Sequence, residues 1–281
     1  MKILAYLIKS FTSDKAFGNP AGVVIDANDL TDRQILKLTQ DLGFGESAFL
    51  QKSLVADYKI RLFSVIKEVN SCVTATLAAA FVIHQQSGKN KINFETKVGN
   101  REVFIASDGL LLIKQPPVEF SNVAIDKTRV ASLLNIPENK ISDYPLEVGS
   151  VGTPKLLIPI KSLGDLFFIK PNLDAIAFYC QKIGARGFYP FTLETKNQGS
   201  DFHARQFNPL DGIAEDPVTG VAAAVLAEYL KKYSIVSKKR LIGEQGYIIN
   251  KPGEIIIEMS PDGIYVGGYA REFGLKKLEV K

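Results

Sequence analysis

A stretch around residue 73 recurs around residue 218, and this internal repeat limits the folds open to the chain more than any other feature. Residues 73–80 (VTATLAAA) are similar to residues 218–225 (VTGVAAAV), 145 residues further along. The segments that follow them, 95–99 (ETKVG) and 243–246 (GEQG), also match at a similar distance. Repetition at one spacing indicates two halves built on the same plan.

Each half contains one segment that is apolar on nearly every side, which is typical of a buried helix. These two helices are predicted at 72–86 and 218–229, and their alanines leave room for strands to approach closely. Many short strand patterns and two hairpin turns, at 108–109 (DG) and 260–263 (SPDG), surround them. The pattern predicts an α+β fold rather than a doubly wound sheet, and no glycine-rich nucleotide-binding loop occurs.

The remaining elements are predicted from local patterns. Thr31 and Gln34 form a capping-box pair that starts an amphipathic surface helix, and Gly43 has the position of its left-handed C-cap. Two further surface helices are predicted, and alternating apolar residues indicate strands that include a buried first strand. These segments are helices at 127–134 and 172–183, and strands with Leu4, Tyr6 and Ile8 and with Tyr58, Ile60 and Leu62.

Composition and charge exclude several classes of protein. Hydrophobic residues make up 46% of the 281 residues, which is too much for a disordered chain. The densest apolar run, 75–83, is far shorter than the roughly 20 residues of a membrane span, and we find no secretory signal pattern at the start. The net charge of +4 is spread out, which argues against nucleic-acid binding. Two cysteines and two histidines provide no disulfide framework and no metal site, so a cytoplasmic protein without metal or organic cofactor is expected.

The starts of the two buried helices are candidate ligand sites. Backbone amides at a helix start lack intrahelical partners and attract anions, so Thr74 and Thr219 mark places where a substrate carboxylate could bind. Two acids, Glu46 and Asp216, stand near these segments and suit proton transfer. The alternatives remain open at this point: two capped helices without a ligand, Asp216 as an N-cap, and Glu46 as a surface acid at the start of a strand.

Several segments resemble the motifs of one known family, the PhzF-like phenazine-biosynthesis proteins, which are relatives of diaminopimelate epimerase. The block EDPVTG in its context is highly specific, and the resemblance covers the chain from about residue 11 to residue 268. The matching segments are 17–24 (FGNPAGVV), 45–49 (GESAF), 61–69 (RLFSVIKEV), 72–77 (CVTATL), 205–209 (RQFNP) and 215–220 (EDPVTG).

This resemblance implies a fold of the diaminopimelate-epimerase type. It consists of two pseudo-symmetric lobes, each a curved β-sheet or barrel around one central helix, with a site in the cleft between them. The first lobe is expected at 1–120, completed by 265–281, and the second at 121–264. The resemblance also implies a homodimer.

The same resemblance implies cofactor-independent proton transfer on a small carboxylate-bearing metabolite. In the phenazine enzyme, a glutamate at the position of Glu46 moves a proton between carbons of a dihydro-hydroxyanthranilate, and an aspartate at the position of Asp216 assists. Glu46 and Asp216 are therefore the predicted catalytic residues. The residues predicted to bind the substrate are Asn19, Val73, Thr74, Ala75, Thr219, Gly220 and Val221.

Two positions depart from the family pattern and make the expected site less polar. Thr74 replaces the histidine of the family and Val221 replaces a serine, so neither supplies a titrating group. The sequence therefore predicts an isomerase whose substrate is not that of the phenazine pathway. The alternatives are a non-catalytic relative that binds a metabolite or a protein partner, and an amino-acid epimerase.

Other polar residues receive structural or peripheral roles. Cys72 is expected to be a buried structural residue, because no matching thiol stands near the second helix start. Arg205 is expected to pair with an acid, and His84 is expected to lie at the far end of its helix. His203 and Gln245 are expected, at most, to approach the cleft. We also expect an ionised Asp216 and a Glu46 whose pKa is raised by its apolar surroundings.

Overall fold

The computed structural model describes residues 2–14 and 16–280, and the chain divides into two compact units. Unit 1 contains the chain up to Lys114 and again from Gly267, and unit 2 is Gln115–Val266. Unit 1 contains β1 (Lys2–Thr12), β2 (Asn19–Val24), α1 (Asp32–Leu42), β3 (Glu46–Gln51), β4 (Tyr58–Ser64), β5 (Glu68–Val69), α2 (Val73–Ser87), β6 (Lys91–Thr96), β7 (Gly99–Ile105) and β8 (Leu111–Lys114). Unit 2 contains β9 (Glu119–Phe120), α3 (Lys127–Leu134), β10 (Glu147–Ser150), β11 (Lys155–Pro159), α4 (Leu163–Phe168), α5 (Leu173–Ile183), β12 (Gly187–Thr192), β13 (Phe202–Ala204), β14 (Gln206–Asn208), β15 (Ile213–Asp216), α6 (Gly220–Lys232), β16 (Arg240–Gln245) and β17 (Gly253–Ser260). The last strand, β18 (Gly263–Glu279), begins in unit 2 and continues in unit 1.

Within its described residues, unit 1 forms a closed barrel of eight strands around α2. The strands follow the order β18, β1, β2, β3, β4, β6, β7, β8 and return to β18. The β2–β3 and β4–β6 pairs are parallel. Ten of the fifteen residues of α2 are buried, and the helix contacts β1, β2, β3 and β8. Helix α1 packs on the outside, where Ile35 and Leu38 join an apolar cluster with strand residues.

Unit 2 repeats this arrangement around α6. Its strands follow the order β9, β10, β11, β12, β13, β16, β17, and the parallel pairs β11–β12 and β13–β16 correspond to the two parallel pairs of unit 1. Nine residues of α6 are buried, and the helix contacts β10, β11 and β17. Helices α3 and α5 cover an outer apolar cluster with β11 and β12. The two units are therefore pseudo-symmetric lobes of an α+β fold, as the repeat predicts.

Helix boundaries follow the local signals in most places but not at α6. Thr31 caps α1 with both bonds of the capping box, and Gly43 adopts the left-handed conformation at its end, so these predictions are confirmed. A proline is typical of a first helical turn, and this predicts α6 from Val218 with Pro217 in its first turn. The predicted start is wrong by two residues, because the helix begins at Gly220 and Pro217 lies outside it.

The predicted first strand forms and is largely buried, with buried residues on both of its faces. Ile3 and Ala5 are buried, whereas Leu4 is 39% exposed. Ile3, Ala5 and Leu7 belong to the outer apolar cluster with α1, whereas Ile8 and Ser10 are buried on the opposite face, where the Ser10 hydroxyl bonds the Thr74 carbonyl of α2. No helix among residues 2–14 and 16–280 is long and apolar enough to cross a membrane.

Candidate active site

The start of α2 is anchored by Cys72, its N-cap residue. The Cys72 sulfur accepts a hydrogen bond from the backbone N–H of Ala75 at 3.3 Å. The Cys72 carbonyl accepts from the Thr76 hydroxyl at 2.7 Å and from the Thr76 N–H at 3.1 Å. The cysteine is thus fixed by both its main chain and its side chain, which satisfies part of the unpaired first turn.

Glu46 lies beside this helix start. It is the first residue of β3, opposite Ala21 of the parallel strand β2 and Ser64 of the antiparallel strand β4. Its side chain is half-buried, and its Oε2 accepts a hydrogen bond from the Cys72 thiol. The sequence reasoning assigned Cys72 a structural role and missed this contact, for which the only signal was the cysteine's place just before the buried helix.

The other predicted residues of unit 1 gather at the same place. The Asn19 amide, at the start of β2, donates to the Thr74 hydroxyl at 3.4 Å, and the Ser10 hydroxyl donates to the Thr74 carbonyl at 2.9 Å. Asn19 is half-buried like Glu46, whereas Val73, Thr74 and Ala75 are buried. The group that the structure brings together in unit 1 is Asn19, Glu46, Val73, Thr74 and Ala75.

The start of α6 is held by Gln245, a buried residue at the end of β16. Its side-chain oxygen accepts from the Thr219 N–H at 3.3 Å. Its amide nitrogen donates to the Asp216 carbonyl at 2.7 Å and to the Thr219 hydroxyl at 3.1 Å. Thr219 is the N-cap residue but makes no side-chain cap bond of its own. Gln245, at the end of β16, caps the helix instead. The predicted residues grouped in unit 2 are Asp216, Thr219, Gly220 and Val221.

Asp216 differs electrostatically from its prediction. Burial raises the pKa of this carboxyl to about 6, although bonds from the Thr219 hydroxyl, at 2.5 Å, and from the Val218 N–H act in the opposite direction. Asp216 is not the N-cap, because α6 begins four residues later at Gly220. The carboxyl therefore takes up a proton at a higher pH than an ordinary aspartate, whereas the sequence predicted that helix amides would favour its charged form.

A buried lysine lies close enough to influence Asp216, and the sequence reasoning did not consider it. Lys155 is 2% exposed, and its ammonium donates to the Asn208 side-chain oxygen at 2.5 Å. The same oxygen accepts from Gln206, which pairs with Asp216 across β14 and β15. Burial lowers the pKa of Lys155 to about 8, and its positive charge lowers the pKa of Asp216. A lysine within the otherwise apolar run KLLIP was the available signal.

Both units contain the same arginine–glutamate pair in the segment before the central helix. Arg61 bonds both oxygens of Glu68 at 2.8 and 2.9 Å, and Arg205 bonds both oxygens of Glu215 at 2.8 and 3.0 Å. Each guanidinium also lies over the phenylalanine two residues later. Arg205 is therefore a structural partner of an acid, as expected.

The histidines take no part in either group. The described contacts of His203 are with Glu244, at 2.8 Å, and with the rings of Phe167 and Tyr247. His84 lies in the last turn of α2, as predicted. Among the described residues, no group of three or more His, Cys, Asp or Glu side chains is arranged to hold a metal ion.

Comparisons with known proteins agree with this architecture. Residues 8–271 match the sequence model of a family described as phenazine biosynthesis-like proteins, PhzC-PhzF. The uncharacterized isomerase YfhB of Bacillus subtilis is 33% identical, with 94% of this chain and 92% of the relative covered. The uncharacterized isomerase YddE of Escherichia coli K12 is 30% identical, with 96% of each chain covered.

Solved structures share the fold over the whole length. A PhzF-family phenazine biosynthesis protein from Bacillus anthracis is similar with a TM-score of 0.90 and 26% identity, and both chains are fully covered. A hydroxyproline epimerase from Agrobacterium vitis has a TM-score of 0.67 at 10% identity, over 99% of this chain and 92% of the other. At that identity the epimerase likeness concerns the fold alone.

Proposed function

Because the chain belongs to the family of phenazine biosynthesis-like proteins, we propose that it is a cofactor-independent isomerase that moves a proton on a small carboxylate-bearing metabolite. Glu46 is the group that takes and returns the proton. Relatives of more than 30% identity bear the name isomerase, and this supports the class of reaction.

The observation that carries the proposal is the position of Glu46 beside the start of α2. Its Oε2 contacts Cys72, the N-cap of a buried helix. The positive end of a helix favours an anionic group, so the α2 start suits a substrate carboxylate or a negative charge that develops during the reaction. A half-buried carboxyl next to it has the place required of a general base.

The reaction requires no oxidant or reductant. Glu46, as a carboxylate, takes a proton from a substrate carbon, and the electron pair of the broken C–H bond is delocalised within the substrate. The protonated Glu46 then returns the proton to another position, so that product and substrate have the same composition. That Asp216 and the α6 start contact the same substrate rests on the family resemblance and stays a prediction.

The test begins with a thermal-shift screen of small carboxylic acids, followed by solvent deuterium incorporation into the compounds that bind. Glu46→Gln preserves the shape of the side chain but removes the proton carrier, so incorporation is expected to fall by at least about 100-fold while binding persists. Glu138→Gln is the matched control, because Glu138 is exposed and lies in unit 2. Undiminished incorporation by the Glu46→Gln protein would remove Glu46 from the mechanism. Binding without any incorporation in the wild type would indicate a non-catalytic relative.

A further inference from the structure

The Cys72 thiol connects two features that the proposed function uses separately, the α2 start and the Glu46 carboxyl. Its sulfur accepts the N–H of Ala75 at 3.3 Å and, through its own hydrogen, donates to Oε2 of Glu46. Its carbonyl accepts from the Thr76 hydroxyl at 2.7 Å. The residue is 7% exposed, so the thiol is held in place by its surroundings.

We propose that Cys72 is a positioning residue for Glu46, a thiol that fixes the carboxyl at the first turn of α2 and titrates with it as one pair. This inference rests on the proposed function, in which Glu46 carries the proton. It assigns to Cys72 neither contact with the substrate nor the removal of a substrate proton.

The coupling follows from the chemistry of the two groups. A thiolate at a helix start is favoured by the backbone N–H and by the helix dipole. A carboxylate within hydrogen-bond distance of the sulfur opposes a second negative charge, so the pair favours one charge over two. Two groups that interact this strongly release their protons in steps that belong to the pair.

The residues opposite Glu46 in the sheet and those that follow Cys72 in α2 have neutral side chains. Glu46 lies opposite Ala21 in β2 and Ser64 in β4. On α2, Cys72 is followed by Val73, Thr74 and Ala75, whose side chains do not ionise, and the nearby Asn19 amide is also neutral. Because the Cys72 thiol donates to the Glu46 carboxyl, a change of charge at Glu46 is expected to act on that thiol.

A direct titration tests the pair without a substrate. The chain has two cysteines, so Cys180→Ala leaves Cys72 as the single thiol, and its ionisation can be followed by the ultraviolet absorbance of the thiolate. In that background, Glu46→Gln is expected to move the midpoint of thiolate formation to lower pH, with at least a tenfold rise in the ionisation constant. Glu138→Gln, in the same background, is expected to leave the midpoint in place. A midpoint that Glu46→Gln does not move would overturn the inference.

Two variants of Cys72 test its effect on Glu46. Cys72→Ser retains a hydroxyl that can cap Ala75 and donate to Glu46, whereas Cys72→Ala removes both bonds. With a substrate in hand, Cys72→Ala is expected to lower kcat at least tenfold and to shift the acidic limb of the pH profile, with KM changed less than threefold. Cys72→Ser is expected to restore most of kcat. Loss of stability with an unshifted pH profile in Cys72→Ala would mean that Cys72 is only a helix cap, which contradicts the inference.

The two proposals fail in different ways. If Glu46→Gln retains full turnover but shifts the thiol titration, the pair exists and the proposed role of Glu46 in catalysis is wrong. If Glu46→Gln abolishes turnover but leaves the thiol titration unchanged, Glu46 keeps its role and the role of Cys72 is wrong.

Discussion

Burial and hydrogen bonding act against each other at the Asp216 carboxyl. Burial raises its pKa to about 6, against an ordinary value of 3.8. The folded chain therefore binds this proton more tightly than the unfolded chain does. Its contribution to the free energy of unfolding falls as the pH rises from about 4 to about 6, and stays low above that range.

Asp216→Asn is expected to remove this pH-dependent loss of stability, because the amide carries no charge and its oxygen can still accept a hydrogen bond from the Thr219 hydroxyl. The variant should be more stable than the wild type by about 2 kcal/mol near pH 7.5, and the difference should shrink toward zero near pH 4. Urea unfolding at both pH values measures this. Asp143→Asn serves as the control, since that side chain is 99% exposed and should show no such pH dependence. A constant difference between Asp216→Asn and the wild type would contradict the raised pKa.

The contacts of individual side chains were the part of the site least accessible from the sequence. Glu46 and Asp216 were recognisable from their motifs, but Cys72 and Glu46 are 26 residues apart and meet only through the packing of β3 against α2. Lys155 reaches its partner Asn208 across 53 residues, between β11 and β14. A sequence pattern reports local chemistry, whereas these contacts depend on which strands lie next to each other.

At the scale of elements, the N-termini of the two central helices are capped in different ways. Cys72 caps α2 from the residue just before it, whereas Gln245 caps α6 from a strand that follows the helix. Local signals predicted α1 correctly because its capping box lies within four residues. They misplaced the start of α6 because Pro217 is typical of a first turn, and the long-range bonds of Gln245 were not visible.

Gln245→Ala is expected to destabilise the protein by about 3 kcal/mol. It deletes four hydrogen bonds and leaves the Thr219 N–H, the Asp216 carbonyl and the Tyr189 hydroxyl buried without that partner. Chemical unfolding at neutral pH gives the value. Gln198→Ala is the matched control at an exposed position, where a change of less than about 0.5 kcal/mol is expected. Equal stability of the two variants would show that α6 does not depend on this cap.

Strand β18 passes the carbonyl of Leu111, in β8, so closely at Gly267 that a side chain there would overlap it. Gly267→Ala is therefore expected to disrupt the β8–β18 pairing and to lower the free energy of unfolding by about 3 kcal/mol or more. Gly164→Ala provides the comparison. It lies in α4 with no atom nearer than 3.9 Å, so the substitution should be neutral or stabilising by up to about 1 kcal/mol. Thermal unfolding of both variants decides between these outcomes.

At the scale of the whole molecule, the repeat allowed the architecture to be predicted from the sequence. Similar helices 145 residues apart indicated two equivalent lobes, and each lobe does surround one apolar helix. The pairing of β1 with β18, which closes the barrel of unit 1, had no comparable signal in the sequence. It joins Lys2 to Glu279 and Tyr6 to Leu275, residues at opposite ends of the chain.

Closure of that barrel by β1 and β18 has a consequence for the order of events during synthesis. All of unit 2 has been made before the part of β18 that pairs with β1 leaves the ribosome. At roughly 5–20 residues per second, β1 waits on the order of 10–50 s for its partner, while the later unit already has its complete sequence. The first-made unit is then the last to close, and the unpaired edges of β1 and, once it has been made, β8 can pair with other strands until β18 arrives.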